Sequence, residues 1–339
     1  MNIKAIVEKL LSSSDLTGDE AMYIAERILE GEIPSNQVAC ILTALRMKGE
    51  TAEELFSFAS IMREKGLRIE IEPSSIVVDV VGTGGDHANT INISTISAFI
   101  VAGDGLTVAK HGNRSVSSAC GSADVLEELG VKVTLNPDQV KKCIEEVGIG
   151  FMFAPNFHPL MKHVVPIRKE MGIRTLFNLL GPLTNPASAN TLLLGVYHFS
   201  FLEKMAQTLN KLGVKSAYVI NSRDGLDEVT NCGITDYYRI TENNLEKSFF
   251  DPQKYGFPLG DIDDLKGGSP ILNAEAARAI LSNELHGAKR DICVINSGFA
   301  ISAAKNIPLE KGFLLAEESI NSGQAKNKLN ELIKMSCSV

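Results

Sequence analysis

The stretch IVVDVVGTGGDHANTINIST, residues 76–95, joins a short apolar segment to three glycines and a polar run. The segment IVVDVV predicts a buried strand, because β-branched side chains favour a pleated surface. Gly82, Gly84 and Gly85 follow, and glycines permit positive φ and let a ligand approach the backbone amides. Since α/β proteins bind ligands beyond the carboxyl ends of parallel strands, the stretch predicts an α/β fold with an anion-binding turn.

Similar apolar segments recur along the rest of the chain. Helical patterns lie between most of them, and strands that alternate with helices favour a parallel sheet. The further predicted strands cover residues 106–110, 131–135, 149–154, 191–196, 216–220 and 291–295. Three helices are predicted to close the chain, whereas residues 221–290 have weak periodicity and indicate no clear elements. We therefore predict an α/β domain with a central, mostly parallel sheet.

Residues 1 to about 66 read as helices only, and the pattern changes after Pro73. Two capping boxes, Thr17–Glu20 and Thr51–Glu54, open amphipathic segments. Each helix is near a dozen residues long and cannot bury its apolar stripe alone. We predict a small helical domain over residues 1–72, joined by part of 160–190, and an α/β domain over residues 73–339.

Composition excludes several classes of protein. The 339 residues carry a net charge of −8, with 44% hydrophobic and 22% charged residues, as is ordinary for a soluble globular protein. An acidic chain is not expected to coat nucleic acid or an anionic membrane. The six cysteines form no CxxC pair, the N-terminus does not resemble a signal peptide, and the apolar runs fall short of the ~18 residues of a membrane span. A cytoplasmic location, with no nucleic-acid or membrane partner, is expected.

The glycine turn fits neither of two common nucleotide motifs. The pattern GxxxxGK[ST] is absent, and GxGxxG fails because His87 stands where the third glycine belongs. One alternative is a tight strand-to-helix turn without a ligand. However, a plain helix cap needs one small polar residue, and six follow here: Asp86, Asn89, Thr90, Asn92, Ser94 and Thr95. This excess favours a polyhydroxylated or phosphorylated ligand.

A second polar stretch, residues 109–130, has the same design. It leaves a predicted strand, carries Lys110, His111, Asn113 and Arg114, passes four serines and enters a helix near Ser122. Cationic side chains, hydroxyls and a helix start are suited to bind an anion. The alternative is a solvated basic loop. Cys120 is interpreted as a small filler, because no neighbouring acid–base partner is evident.

Two further segments carry charged candidates. Asp227 and Glu228 are adjacent after Gly225, and Mg²⁺ typically binds one or two carboxylates together with substrate phosphates. In isolation such a pair is usually a solvated loop, and its spacing does not suit a glycosidase.

The segment 158–187 holds Lys162, His163, Arg168, Lys169 and Arg174. Arg168 could clamp a carboxylate through two hydrogen bonds. The alternative, an exposed basic helix face, fits the two lysines better than Arg168. His158 and His163 are five residues apart, off one helical face, which makes a zinc site improbable.

At this point the sequence resembles a known family. GTGGDHANTINIST, KHGNRSVSSACGSADVLEELG, HPLMKHVVPIRKEMGIRTLFNLLGPLTNP and GLDE, in this order, are similar to segments of the anthranilate phosphoribosyltransferases. The resemblance spans nearly the whole chain. It implies transfer of phosphoribose from 5-phosphoribosyl 1-pyrophosphate (PRPP) to the amine of anthranilate in tryptophan biosynthesis. It also implies Mg²⁺, a helical domain beside an α/β domain, and a homodimer formed through the helical domain.

The resemblance also implies roles for individual residues. PRPP would be bound by residues of the first two segments: Gly82, Gly85, Asp86, Thr90, Asn92, Ile93, Ser94, Thr95, Lys110, His111, Gly112, Asn113, Arg114, Ser115, Val116, Ser117, Ser118 and Ser122. Anthranilate would contact Gly82, Asn113 and Arg168, and the metal would face Ser94, Asp227 and Glu228. Lys110 and the two acids are the expected catalytic residues, acting on the departing pyrophosphate. His87 and Val165 depart from the family pattern, and residues 229–238 follow it loosely.

Two other functions remain open from the residues. A pyrimidine nucleoside phosphorylase shares the architecture, but phosphorolysis has less need of a metal-binding acidic pair. A phosphometabolite-binding protein without catalytic activity is a second alternative, against which the intact acidic pair argues.

Overall fold

The computed structural model describes residues 1–72, 75–115, 119–242 and 244–339. The α-helices in this part of the chain are α1 Ile3–Leu11, α2 Gly18–Leu29, α3 Ser35–Lys48, α4 Ala52–Lys65, α5 Ile93–Gly103, α6 Ser122–Glu128, α7 Pro137–Lys142, α8 Ala154–Phe157, α9 Val165–Met171, α10 Phe177–Leu180, α11 Leu202–Lys211, α12 Pro270–Leu281, α13 Ala288–Lys305, α14 Leu309–Asn321 and α15 Gln324–Ser338. The strands are β1 Val77–Gly82, β2 Thr107–Gly112, β3 Ile149–Phe153, β4 Thr191–Gly195, β5 Ser216–Ser222, β6 Thr235–Thr241 and β7 Asn244–Phe250.

The N-terminal helices begin where the capping boxes predict. Thr17 and Thr51 each accept a hydrogen bond from the backbone N–H of the glutamate three residues on, and that glutamate caps the threonine N–H in return. The apolar side chains of α1–α4 are buried together with Val164 and with Leu176–Leu183. The helical layer therefore includes a segment that lies far away in sequence.

The seven strands form one sheet in the order β3-β2-β1-β4-β5-β6-β7. The first five strands of this order are parallel, whereas β5, β6 and β7 pair antiparallel. Strands β1 and β4 are in register from Val78 opposite Thr191 to Gly82 opposite Gly195. The expectation of a helical domain and an α/β domain with a mostly parallel sheet is confirmed.

Alternate residues of the central strands enter two different cores, as the two-residue period of a strand requires. In β4, Leu193 packs into the core that contains α5 and α13, whereas Leu192 and Leu194 pack into the core of the helical layer. The same alternation recurs in β5. The sheet thus separates the two cores, and its carboxyl edge, where the first five strands end, is free to carry a site.

Two predicted strands are wrong. Residues 291–295 lie inside α13, which is buried on nearly all sides, and a short apolar run cannot distinguish a strand from a buried helix. Residues 131–135 alternate buried and exposed side chains but belong to no strand, and the Lys132 N–H donates to the Ser336 hydroxyl. The weakly periodic region 221–290 contains β6, β7 and α12, which the sequence did not indicate.

In the described residues, no single helix is both long and apolar enough to cross a membrane. The pair α13 and α14 would pass by length and composition together, but it is bent by 116°. No disulfide joins any of the six cysteines, all of which lie in the described part of the chain.

Candidate active site

The glycine turn begins where β1 ends. The Thr83 N–H donates to the Gly195 carbonyl, 2.9 Å away, which fixes the turn beside the end of β4. Gly84 and Gly85 have φ of +66° and +87°, a region that favours glycine. At Gly82 a Cβ atom would overlap the Asp227 carboxylate. Glycine is therefore required here both for the backbone path and for the close approach of an acid.

The acidic pair reaches the turn from the loop after β5. Asp227 Oδ2 accepts a hydrogen bond from the Gly84 N–H at 2.6 Å, and Glu228 Oε1 accepts from the Ser94 N–H at 3.2 Å. The loop that carries the acids is separated from the turn by more than a hundred residues, and no contact between them was predicted from the sequence. The acids thus hold both ends of the polar run.

Burial and mutual repulsion disfavour the charged forms of these carboxylates. Burial, followed by the charge of Asp86, raises the pKa of Asp227 to about 7. The pKa of Glu228 is also raised, first by burial and then by the charge of Asp227. A cation bound at Asp227 and Glu228 would remove this electrostatic penalty.

Lys110 lies beneath the turn and is only 3% exposed. Its Nζ donates to the Val80 carbonyl at 2.7 Å and lies 3.4 Å from the Ser94 hydroxyl. Burial lowers the pKa of Lys110, whereas the charges of Asp79 and Glu228 oppose this shift. Asp79 is fully buried, and burial raises its pKa to about 6 although Lys110 and a hydrogen bond from Asn185 favour the charged form. The charges of Asp79 and Glu228 thus partly offset the cost of burying the Lys110 ammonium group.

The polar run between the turn and α5 divides into exposed and buried members. The side chains of Ile93 and Thr95 are buried, so only their backbone can face a ligand. Asp86 Oδ1 accepts from the Ala88 N–H at 3.2 Å, and Thr90 forms an isolated bridge with Lys266. Asn92 donates its side-chain N–H to the Cys120 carbonyl at 3.1 Å, which joins this run to the second polar stretch.

The start of the second stretch points inward. His111 Nδ1 lies 3.1 Å from the Gly181 carbonyl, and the His111 ring packs on that of His158 with 5.2 Å between centroids. Burial, followed by repulsion from His158, lowers the pKa of His111 to about 3. Ser122 Oγ accepts from the Asn113 N–H at 3.2 Å, and a Cβ on Gly112 would overlap that hydroxyl. His111 therefore anchors the start of the loop to the Gly181 carbonyl, and Ser122 fixes the loop by binding the backbone N–H of Asn113.

Arg114 is exposed and already paired. Its guanidinium donates to Asp124 at 3.0 Å and to the two Glu127 oxygens at 2.5 and 2.7 Å. Asp124 also accepts from the N–H groups of Ser115 and Gly121. The predicted residues Val116, Ser117 and Ser118 lie outside the described residues. The structure thus brings Lys110 and the acids together, but it turns Arg114 toward α6.

Arg168 lies on α9, apart from these groups. Its guanidinium carbon is 5.8 Å from the centroid of the Phe177 ring, and burial lowers its pKa. Among the described residues it makes no hydrogen bond or ion pair with the turn or with Asn113. Its carboxylate-clamp role remains a prediction.

Arg174 is a residue to which the sequence assigned no role. Its guanidinium donates to the Gly85 carbonyl, lies 2.7 Å from His87 Nε2 and covers the Tyr197 ring at 4.3 Å. His87 itself has φ of +61°, so the turn continues in an unusual conformation for a side chain of this size. Arg174 and His87 are 87 residues apart, and no spacing rule would have paired them.

Comparisons with known proteins agree with this geometry. The family model described as glycosyl transferase family, a/b domain matches residues 74–326, and that family's helical bundle domain matches residues 4–66. An anthranilate phosphoribosyltransferase from Alkaliphilus metalliredigens is 47% identical, with 97% of each chain covered. The crystal structure of the Thermus thermophilus anthranilate phosphoribosyltransferase is 37% identical, with a TM-score of 0.92 and coverage of 98% of this chain and 99% of that one. A Saccharomyces cerevisiae anthranilate phosphoribosyltransferase in complex with PRPP and Mg is 29% identical, with a TM-score of 0.91 and coverage of 99% and 98%. The chain therefore belongs to the anthranilate phosphoribosyltransferase family and is a pentosyltransferase of the glycosyl transferase fold family.

Proposed function

We propose that this enzyme transfers phosphoribose from PRPP to the amine of anthranilate, giving N-(5-phosphoribosyl)anthranilate and pyrophosphate. The observation that carries the proposal is the convergence of the glycine turn, the buried Lys110 and the acidic pair at the end of β1. PRPP carries several negative charges, and one glycine turn alone would not neutralise them. A cation, a metal-binding acidic pair and backbone N–H groups together suit a diphosphate.

The donor set fits Mg²⁺. Asp227, Glu228 and the Ser94 hydroxyl offer oxygen ligands only. Burial and mutual repulsion raise the pKa of both acids, so a bound cation would favour their charged forms. No cluster of three His, Cys, Asp or Glu side chains that could hold a metal occurs within the described residues. That is expected of Mg²⁺, which shares its shell with substrate phosphates and water. When bound, the ion neutralises charge on the pyrophosphate.

The protein's own groups act by positioning and by electrostatics. The bond between the ribose anomeric carbon and pyrophosphate breaks through an oxocarbenium-like state, as in other glycosyl transfers. Lys110 and the backbone N–H groups of the turn stabilise the leaving charge. Anthranilate's aryl amine is neutral at pH 7 and attacks the anomeric carbon when held in line. Arg168 binds the anthranilate carboxylate, with Gly82 and Asn113 beside the ring.

Three further features belong to the proposal. The segment 164–183 is part of the helical domain, as its shared core with α1–α4 supports. The chain forms a homodimer through the helical domain, where the side chains of Leu11 and Met47 are 64% and 83% exposed. The enzyme is cytoplasmic, which the six cysteines without disulfides support.

The test is a fluorescence assay of anthranilate consumption with PRPP and Mg²⁺. Loss of fluorescence that needs all three components supports the proposal. Phosphorolysis of a pyrimidine nucleoside in place of this reaction would identify the phosphorylase alternative, and PRPP binding without turnover would identify a binding protein.

A further inference from the structure

A strap of chain crosses the polar run of the glycine turn. Ile91 N–H donates to the Leu265 carbonyl at 3.0 Å, and Gly267 N–H donates to the Asn89 carbonyl at 2.8 Å. We use the term strap for residues 265–268. A Cβ atom on Gly267 would overlap the Asn273 side chain and approach the Thr90 carbonyl to 2.7 Å. The strap therefore lies directly on the backbone that is expected to bind PRPP.

Asn273, in the first turns of α12, holds this strap from beneath. Its side chain is 2% exposed. Its Oδ1 accepts from the Gly268 N–H at 2.8 Å, and its Nδ2 donates to Asn92 Oδ1 at 2.9 Å. The buried amide of Asn273 thus accepts a hydrogen bond from the strap and donates one to the polar run.

Asn92 extends the chain of hydrogen bonds to the second polar stretch. Its own Nδ2 donates to the Cys120 carbonyl, one residue before Gly121 and the start of α6. The Cys120 thiol also hydrogen-bonds Asn273. With its acceptor taken by Asn273 and its donor by Cys120, the Asn92 amide has a single orientation in which both bonds are made.

We propose that Asn273 is a positioning residue for PRPP, which sets the orientation of Asn92 and the spacing between the two polar stretches. The inference rests on the proposed function. Asn273 acts on PRPP binding through Asn92, and it does not contact the substrate. Because the hydrogen bonds of Asn273 and Asn92 are already formed, these side chains need not reorient when the substrate binds.

The experiment compares Asn273→Ala, Asn92→Ala and the double variant in steady-state assays that vary PRPP and anthranilate separately. We expect Asn273→Ala to lower kcat/KM for PRPP about tenfold, as befits the loss of a buried hydrogen bond, with the KM for anthranilate unchanged. The double variant should be no worse than Asn92→Ala alone, because one residue acts through the other. Asn273→Asp keeps the acceptor for Gly268 and removes the donor to Asn92, and we expect it to reproduce the loss of kcat/KM.

Asn190→Ala is the matched control. Asn190 also bridges separate segments through its side chain, to Val77 and Ser75, but at the start of β1, away from the polar run. It should lower the Tm without changing the KM for PRPP. Equal values of kcat/KM for PRPP in wild type and Asn273→Ala, or additive losses in the double variant, would overturn the inference alone. Absence of turnover in the unaltered protein would overturn the proposed function and this inference with it.

Discussion

The glycine turn follows β1, and the part of the second polar stretch that follows β2, which we call the basic loop, leaves the neighbouring parallel strand. The two regions are stabilised in opposite ways. The turn is braced by distant residues. Asp227 accepts from the Gly84 N–H, Arg174 donates to the Gly85 carbonyl, and Glu228 accepts from the Ser94 N–H at the far end of the polar run. The basic loop is braced by its own helix, because Arg114 is paired with Asp124 and Glu127 of α6. The turn therefore holds acids whose charged forms are disfavoured by burial and mutual repulsion, whereas the loop presents a cation that is already paired. A diphosphate that binds with a divalent cation suits the first region as it stands and must displace a carboxylate in the second.

The largest expected effect follows from removal of the acids. Asp227→Asn combined with Glu228→Gln should lower kcat about 10³-fold, since electrostatic stabilisation of a leaving group of this kind is worth 10²–10³ per group. Folding should be preserved, because the change removes like-charge repulsion between buried groups. Turnover and the dependence of rate on Mg²⁺ concentration are the measurements.

The control for this double variant is Glu145→Gln with Glu146→Gln, an adjacent acidic pair that is exposed on the surface. It makes the same change in net charge and should leave turnover unchanged. Retained activity in the Asp227 and Glu228 variant would contradict the metal-binding role of these acids. The contrast in charge between the glycine turn and the basic loop would then have no effect on function.

The second effect concerns the base of the basic loop, where His158 packs on His111. Burial lowers the pKa of His158 to about 4, against about 6.5 in the unfolded chain. A depressed folded pKa contributes stability that is present above pH 6.5 and is lost as pH falls toward 4, because the unfolded state binds the proton first. The free energy of unfolding should fall by about 3 kcal/mol across this window for His158 alone.

Urea denaturation of the wild type and of His158→Asn at pH 7 and at pH 4.5 measures this contribution. The variant should lose less stability on acidification than the wild type. His286→Asn, at an exposed histidine, should keep the wild-type pH dependence. Equal pH dependence in wild type and His158→Asn would show that the buried histidine pair does not stabilise the loop's base.

The third prediction breaks the external bracing of the turn. Arg174→Ala removes the bond to the Gly85 carbonyl and the contact with His87, and we expect about a tenfold increase in the KM for PRPP from loss of a charge-assisted hydrogen bond. The KM for anthranilate should stay unchanged. Arg168→Ala is the informative partner variant, because it should raise the KM for anthranilate instead. The same KM profile in both variants would mean that the two arginines do not divide the substrates between them.

Sequence predicted the parts of each region that local chemistry determines. The capping boxes and most strands and helices follow from nearest neighbours along the chain. These predictions were confirmed, apart from residues 131–135 and 291–295 and from β6, β7 and α12, which the sequence did not indicate. What it could not predict are contacts made through tertiary packing. The hydrogen bond from Gly84 to Asp227, the pairing of Arg174 with His87, and the burial of Asp79 beside Lys110 depend on where the sheet brings distant loops. In the basic loop, the sequence did not predict that Asp124 and Glu127, in the first and second turns of α6, pair with Arg114. The role of Arg114 in binding PRPP stays a prediction.

The smallest effect tests that competition directly. Glu127→Gln weakens the pair with Arg114 while Asp124, which also holds the loop backbone, stays in place. An exposed ion pair is worth at most about 1 kcal/mol, so the KM for PRPP should fall by a factor of roughly two to five. Glu128→Gln changes the adjacent exposed acid and should leave the KM unchanged. The difference between the two variants should shrink at high salt, which screens an exposed pair. If Glu127→Gln instead raises the KM, the carboxylate supports Arg114 in its binding position, and the basic loop would be pre-formed for the substrate in the same way as the glycine turn.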